Sequence, residues 1–274
     1  MDCGYDGTEF AGWATQPGLR TVAGVLGEAL TRVVGAQGAT GLTVAGRTDT
    51  GVHATGQVCH VDFAAEVWDR LGDSLVRRLA GLLPADVRVY RAERVPESFD
   101  ARFSALYRRY EYRVADAPWG APPTRHRDTL GWRRPLDLDA LTRASVRLLG
   151  EHDFAAYCRR RDGATTIRKI TSLEWRREPD GVLASTVEAD AFCHSMVRSL
   201  VGALLAVGDG RRPEPWPASL LTRRERVSEV NVAPALGLTL VEVGYPADER
   251  GFASRAEVTR RRRDGAPAAA ESAG

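Results

Sequence analysis

The stretch Ala45-Gly46-Arg47-Thr48-Asp49-Thr50-Gly51-Val52-His53-Ala54 constrains this chain more than any other. Leu42 to Ala45 is a short apolar run leading in, and Gln57-Val58-Cys59-His60-Val61-Asp62-Phe63 alternates on the way out. That spacing predicts strand, tight polar loop, strand. Gly46 and Gly51 permit positive φ and close backbone approach, so a ligand can reach the loop's one carboxylate, Asp49, with little obstruction. Extended backbone would turn Arg47 and Asp49 to the same side. A guanidinium beside a carboxylate favours its ionised form. An ionised carboxylate in a substrate-sized cleft serves as general base or nucleophile. A plain β-turn, whose Asp and Thr bond their own backbone, fits the same residues.

A chain of 274 residues with 43% hydrophobic content can bury one large core or two modest ones. It holds no apolar run of about 18 or more residues, so no transmembrane helix is expected. It opens with no basic-then-apolar leader. Cys3, Cys59, Cys158 and Cys193 are widely spaced and include no Cys-x-x-Cys pair. A cytoplasmic protein with reduced thiols is therefore expected. His53, His60, Cys59 and the Cys193-His194 pair match no zinc spacing, so no metal site is expected.

The formal net charge of +2 conceals clustering. Lys169 is the one lysine among 38 basic residues, and arginines gather at Arg77-Arg78, Arg108-Arg109, Arg125 to Arg134, Arg159 to Arg161, Arg211-Arg212 and Arg223-Arg224. Arginine makes bidentate contacts to phosphate and stacks on bases, and clusters on one face would form a track for a nucleic-acid backbone. Solvated faces of a protein from a GC-rich genome would carry the same composition.

In chain order, Met1 to Thr8 reads as the end of a strand and a turn. Thr21 to Val34 is an amphipathic helix with Val22, Val25, Leu26, Ala29, Leu30 and Val33 on one face. Asp73 to Leu83 reads as a helix stopped by Pro84, and Val87 to Tyr90 as a strand. Tyr107 to Val114 reads as a strand that puts Tyr110 and Tyr112 on one face. Ala115 to Pro135 reads as an exposed loop and Asp137 to Leu149 as a helix that Gly150 to Phe154 ends. Thr165 to Ile170 and Val182 to Val187 read as strands. Arg198 heads an apolar segment, Ser199 to Val207, and a buried cation there requires an anionic partner. A final strand runs to Val243, and Pro246 to Gly274 reads as a disordered tail.

The order and spacing of several motifs resemble the TruA-type tRNA pseudouridine synthases over about Asp2 to Tyr245. These are Tyr5-Asp6-Gly7-Thr8 with Gly12-Trp13 and Gln16-Pro17, Arg20-Thr21-Val22, the Gly46 to Ala54 loop with Gln57, and Phe99 to Ala105 with Tyr110 and Tyr112. Gly150-x-His152-Asp153-Phe154, Thr166-x-Arg168, Phe192-x-His194-x-Met196-Val197-Arg198 with Gly202, and Ala233-Pro234-x-x-Gly237-Leu238 complete the set. The resemblance implies isomerisation of uridine to pseudouridine at positions 38 to 40 of the tRNA anticodon arm, without organic cofactor or metal. It implies that Asp49 attacks ribose C1′ or assists cleavage through a glycal. It further implies that Tyr110 is catalytic, packing against the target base and helping to remove its C5 proton, that Arg198 pairs with Asp49, and that Arg47 holds the flipped nucleotide or its backbone. Arg168 and His194 fall on motif positions expected to contact substrate.

The strands are half-apolar and mixed in order with helices, which indicates an α+β fold with antiparallel sheet. The resemblance implies a pseudouridine synthase fold: two α/β halves, residues 1–105 and 106–245, whose sheets meet at a catalytic cleft, in a homodimer that shares one tRNA. Thr50 stands where the family more often has Ala. The family usually carries more strand before Tyr5, so Met1 reads as a late or misassigned start. A catalytically silent RNA-binding relative and an aspartate-nucleophile phosphoesterase are the rival readings; the second lacks a second Asp and metal ligands.

Overall fold

A computed structural model of the chain describes residues 1–35, 38–72, 74–159 and 165–263. The strands are β1 (Asp2–Tyr5), β2 (Ala39–Val44), β3 (His53–Phe63), β4 (Val87–Arg91), β5 (Tyr107–Ala115), β6 (Leu130–Gly131), β7 (Gly150–Asp153), β8 (Ile167–Arg177), β9 (Leu183–Ala189) and β10 (Leu238–Gly244). The helices are α1 (Val22–Val34), α2 (Ala65–Leu71), α3 (Ser74–Leu82), α4 (Leu138–Val146), α5 (Met196–Gly208), α6 (Trp216–Ser219) and α7 (Glu249–Arg263).

The fold is α+β around one mixed sheet in the order β4-β1-β3-β10-β5-β9-β8-β7, with β2 added on β3 and β6 on β5. The last strand closes the sheet in the middle: β10 runs parallel to β3 through Thr239↔His53 and antiparallel to β5 through Leu240↔Tyr110. The sheet is thus mixed, mostly antiparallel, with β10 returning to its middle rather than along an edge. The loop before β3 and the middle of β5 are thereby brought close together.

Helices cover the sheet as their patterns demand. On α1, Val22, Leu26, Ala29 and Leu30 are buried, and the Thr21 hydroxyl caps the helix by accepting the Gly24 N–H at 3.2 Å. Nearly every residue of α5 is buried, which explains its unbroken apolar run. At Gly202 a Cβ would lie 1.8 Å from the Asn231 carbonyl oxygen, so only glycine lets that loop cross the helix.

Three expectations are corrected. Residues 249–263 are helical rather than disordered: Phe252 meets the Phe99 ring edge-on at 5.2 Å, Arg255 Nε donates to Ala105 O at 3.1 Å, and Ala256 is buried. These three fall at i, i+3 and i+4, a single helical face, and Arg260 adds an ion pair to Asp100 at 3.1 Å. Gly150–Asp153 is a strand antiparallel to β8 rather than a helix end. Finally, Cys158 and Cys193 form a disulfide, where reduced thiols were expected; Cys3 and Cys59 are free and buried. Residues 264–274, and Arg160 and Arg161 of one arginine cluster, lie outside the described residues, as does Asp73 at the predicted start of α3.

Candidate active site

The catalytic-loop candidate is held from below by the first strand. Gln57, fully buried, donates from Nε2 to Gly46 O at 2.8 Å and to the Tyr5 hydroxyl at 3.1 Å. Tyr5 in turn shares a 2.8 Å hydrogen bond with Thr48 Oγ1. Trp13 N donates to Thr48 O at 3.1 Å, Gly51 N to Phe10 O at 3.3 Å, and Val52 N to Asp49 O at 3.1 Å. Gly12 has φ +93°, and a Cβ there would lie 2.8 Å from Thr48 O. The Tyr5 to Trp13 segment therefore wraps the loop closely, at Gly12 with no room for a side chain, while Arg47 and Thr50 remain exposed and Asp49 partly so.

His53 locks the far side of the loop. Its Nδ1 accepts the Gly7 N–H at 3.0 Å and its Nε2 lies 3.1 Å from Leu236 O. Those two bonds fit the tautomer with its proton on Nε2, and Asp6 Oδ1 lies 3.3 Å from Nδ1. His53 is a brace between the Gly7 turn and the loop leading into β10.

Asp49 is about one third exposed, and its partners come from the start of α5. His194 Nε2 lies 3.4 Å from Oδ1, the Ser195 hydroxyl 3.5 Å from Oδ2, and Arg198 Nη1 3.8 Å from Oδ2. Arg198 is itself aimed by the loop that crosses α5: its Nε donates to Ala233 O at 2.7 Å, while Ala233 N donates to Arg198 O at 2.9 Å. Ser195 has φ +62°, the one positive φ outside glycine among the described residues. A non-glycine residue held there costs on the order of 1 kcal/mol. That strain sits on a residue whose hydroxyl faces the carboxylate.

Tyr110 lies beside this group on β5, buried, with its ring edge-on to Phe192 at 5.2 Å. Burial pushes its phenol up to about 12; the Arg108 guanidinium opposes that rise and the Asp49 charge adds to it. Arg108 is also buried, and holds three carbonyls, Ala45 O at 2.9 Å, Arg102 O at 2.6 Å and Asp190 O at 3.0 Å. It is a structural cation under the loop.

Of the residues expected at the site, Asp49, Tyr110, His194 and Arg198 come together. Arg47 does not pair with Asp49; it is exposed, without an ion-pair partner among the described residues. Arg168 stands on β8 opposite His152, two strands from β5 across β9, and donates to Ile167 O at 2.5 Å. Sequence reasoning passed over Ser195, and over the Tyr5, Thr48 and Gln57 network as a support. No cluster of His, Cys, Asp or Glu able to hold a metal occurs among the described residues. A carboxylate with a cation behind it and an aromatic wall beside it can stabilise or trap positive charge at a sugar carbon.

The sequence profile of a family described as "tRNA pseudouridine synthase" matches residues 144–246. Relatives named "tRNA pseudouridine synthase A" are 60% identical over 260 residues in Frankia casuarinae, covering 95% of this chain and 93% of the relative. The Streptomyces griseus protein of that name is 55% identical, covering 94% of this chain and 91% of its own length. The Mycobacterium leprae one is 52% identical, covering 95% and 93%.

Proposed function

The chain belongs to the tRNA pseudouridine synthase A family, and from that membership we propose that Asp49 is the nucleophile of a uridine-to-pseudouridine isomerisation in the tRNA anticodon arm, at positions 38 to 40. The enzyme is an isomerase acting on tRNA. The carrying observation is the convergence of His194, Ser195 and Arg198 on the Asp49 carboxylate beside the buried Tyr110 ring.

An Asp49 oxygen attacks ribose C1′ as the N1–C1′ pair leaves with uracil. The freed ring turns so that C5 faces C1′, C5–C1′ forms and the Asp49 ester breaks. The C5 proton is lost and N1 is reprotonated, so the sum is an isomerisation. Arg198 and His194 hold the carboxylate through both displacements. Tyr110, neutral far above physiological pH, is suited to pack on the base rather than to take its proton.

A stacked uridine must leave its helix to reach Asp49. Arg47, exposed in the loop, would fill the vacated stack or hold the flipped backbone. Arg168 and His194 would contact the same nucleotide strand. We take residues 1–105 and 106–245 as the two halves, dividing in the segment between β4 and β5, and a homodimer sharing one tRNA as the working assembly. No described helix is long and apolar enough to cross a membrane, which agrees with a cytoplasmic enzyme.

Tritium release from tRNA labelled at uridine C5 tests the reading. The wild type should release label and Asp49→Ala should not, while both bind tRNA with similar affinity. Release by Asp49→Ala at the wild-type rate would remove the nucleophile assignment.

A further inference from the structure

Cys158 closes the short 3₁₀ turn Ala155–Tyr157, and Cys193 immediately precedes His194 and Ser195, two of the three groups on Asp49. The disulfide between them spans 35 positions, with Cα atoms 5.6 Å apart. A backbone bond ties the same segments: Arg159 N donates to His194 O at 3.1 Å. Cys158 is buried, whereas Cys193 is half-buried. Cys3 and Cys59, both buried, hydrogen-bond to one another and are not joined. The joined pair is thus the one with a route to solvent, and it lies one residue from Asp49's partners.

We propose that Cys158 and Cys193 are a reversible thiol–disulfide site, oxidised by a peroxide and reduced by a dithiol, whose bond positions His194 and Ser195 against Asp49. Cys193 is the sulfur a peroxide reaches first. Its thiolate attacks one peroxide oxygen, the O–O bond breaks, and a sulfenic acid and hydroxide result. The Cys158 sulfur then attacks that of Cys193, the S–S bond forms and the sulfenic oxygen leaves as water. In sum, two thiols and one hydrogen peroxide give one disulfide and two waters, with two electrons passing from sulfur to oxygen. A dithiol reverses the bond by exchange.

The position gives the bond its effect. Ser195 begins α5 from a left-handed conformation with no side-chain cap, and the main chain before it is tied by Met196 N to Cys193 O and by Arg159 N to His194 O. Anchoring Cys193 to the 3₁₀ turn removes freedom next to both Asp49 contacts. Small displacements of such groups carry large rate penalties. Cys193 and Cys158 are positioning residues, acting through His194 and Ser195. The rate readout rests on the synthase reading; the bond itself does not.

The full chain is treated with hydrogen peroxide or dithiothreitol, a portion of each form is alkylated in denaturant and mapped by peptide mass, and the folded remainder is assayed for tritium release and for hydrogen exchange over residues 190–199. After peroxide, Cys158 and Cys193 should resist alkylation, and after dithiothreitol both should react. The disulfide form should turn over about 3- to 30-fold faster at saturating tRNA, with KM within about twofold, and exchange more slowly over that segment. Cys158→Ser should be fixed at the reduced rate in either treatment. Both thiols open to alkylation after peroxide would remove the site. A mapped bond with equal kcat in the two forms would remove its positioning role. Absence of release from both forms would overturn the synthase reading instead, and equal exchange rates would then sink this one.

Discussion

Asp49 and Arg198 come from opposite halves of the chain and meet at 3.8 Å, the cation fixed from behind by the Ala233 carbonyl. The loop and α5 are separated by most of the fold, and the seam of β3, β10 and β5 brings them together. Replacing Arg198 by Ala should lower kcat about 10- to 1000-fold, as for loss of one preorganised electrostatic group, while tRNA affinity changes little. Arg198→Lys should recover only part of the loss, because a lysine cannot both reach Asp49 and bond Ala233 O. Steady-state kinetics on both variants decide this; an unchanged kcat in Arg198→Ala would show that the pair has no catalytic part.

The Tyr5 hydroxyl is shared between Thr48 and Gln57, and all three are buried. Tyr5→Phe leaves the ring in place and orphans polar groups, at a cost of about 1–3 kcal/mol. Activity should fall more than stability alone dictates at a temperature where the protein is folded, since the loop carrying Asp49 loses its underpinning. Urea unfolding compared with kcat at 25 °C provides the check. Full kcat with the expected stability loss would mean that the network supports the fold and not the site.

Much of the site was legible because its chemistry demands rare local arrangements. Asp49 between glycines, and Arg198 heading an apolar helix, each pose a problem that local sequence cannot solve, and each proves to be the other's answer. Ser195 was not legible, because nothing in Phe192-Cys193-His194-Ser195 announces a left-handed residue that is not glycine. The Cys158 to Cys193 bond was hidden for a different reason: its partners are 35 positions apart and meet only through the packing of α5 on the 3₁₀ turn. The helix at 249–263 was missed because its buried face is only Phe252, Arg255 and Ala256 within an arginine-rich segment. A disordered tail and a helix with one short docking face share that composition.

Phe252 packs against Phe99, which also meets Tyr245 at 5.0 Å, so α7 caps an aromatic group beside the end of β10. Phe252→Ala should cost about 1–3 kcal/mol, below the usual value for a fully buried Phe because the ring is only partly covered. Asp49 lies in another region, so tRNA turnover at 25 °C should be kept. Thermal unfolding of the variant would show a lower midpoint; an unchanged midpoint would mean that the helix docks without contributing.

Burial raises the phenols of Tyr5, Tyr110, Tyr112, Tyr157 and Tyr245 above the ordinary tyrosine value. For Tyr110 the shift is from 10.0 to about 12. In the unfolded chain these groups release their protons at the ordinary value, while the folded protein keeps them. The unfolded state then binds fewer protons, so stability falls as pH rises. The contribution is fully present below about pH 10 and is lost as pH climbs through the folded values, on the order of 2 kcal/mol from Tyr110 alone by pH 12. Urea midpoints at pH 8 and pH 11 should therefore drop steeply with an unchanged m-value. A flat profile across that interval would mean that the tyrosines ionise as readily folded as unfolded, and would undo the upward shift that burial imposes on them.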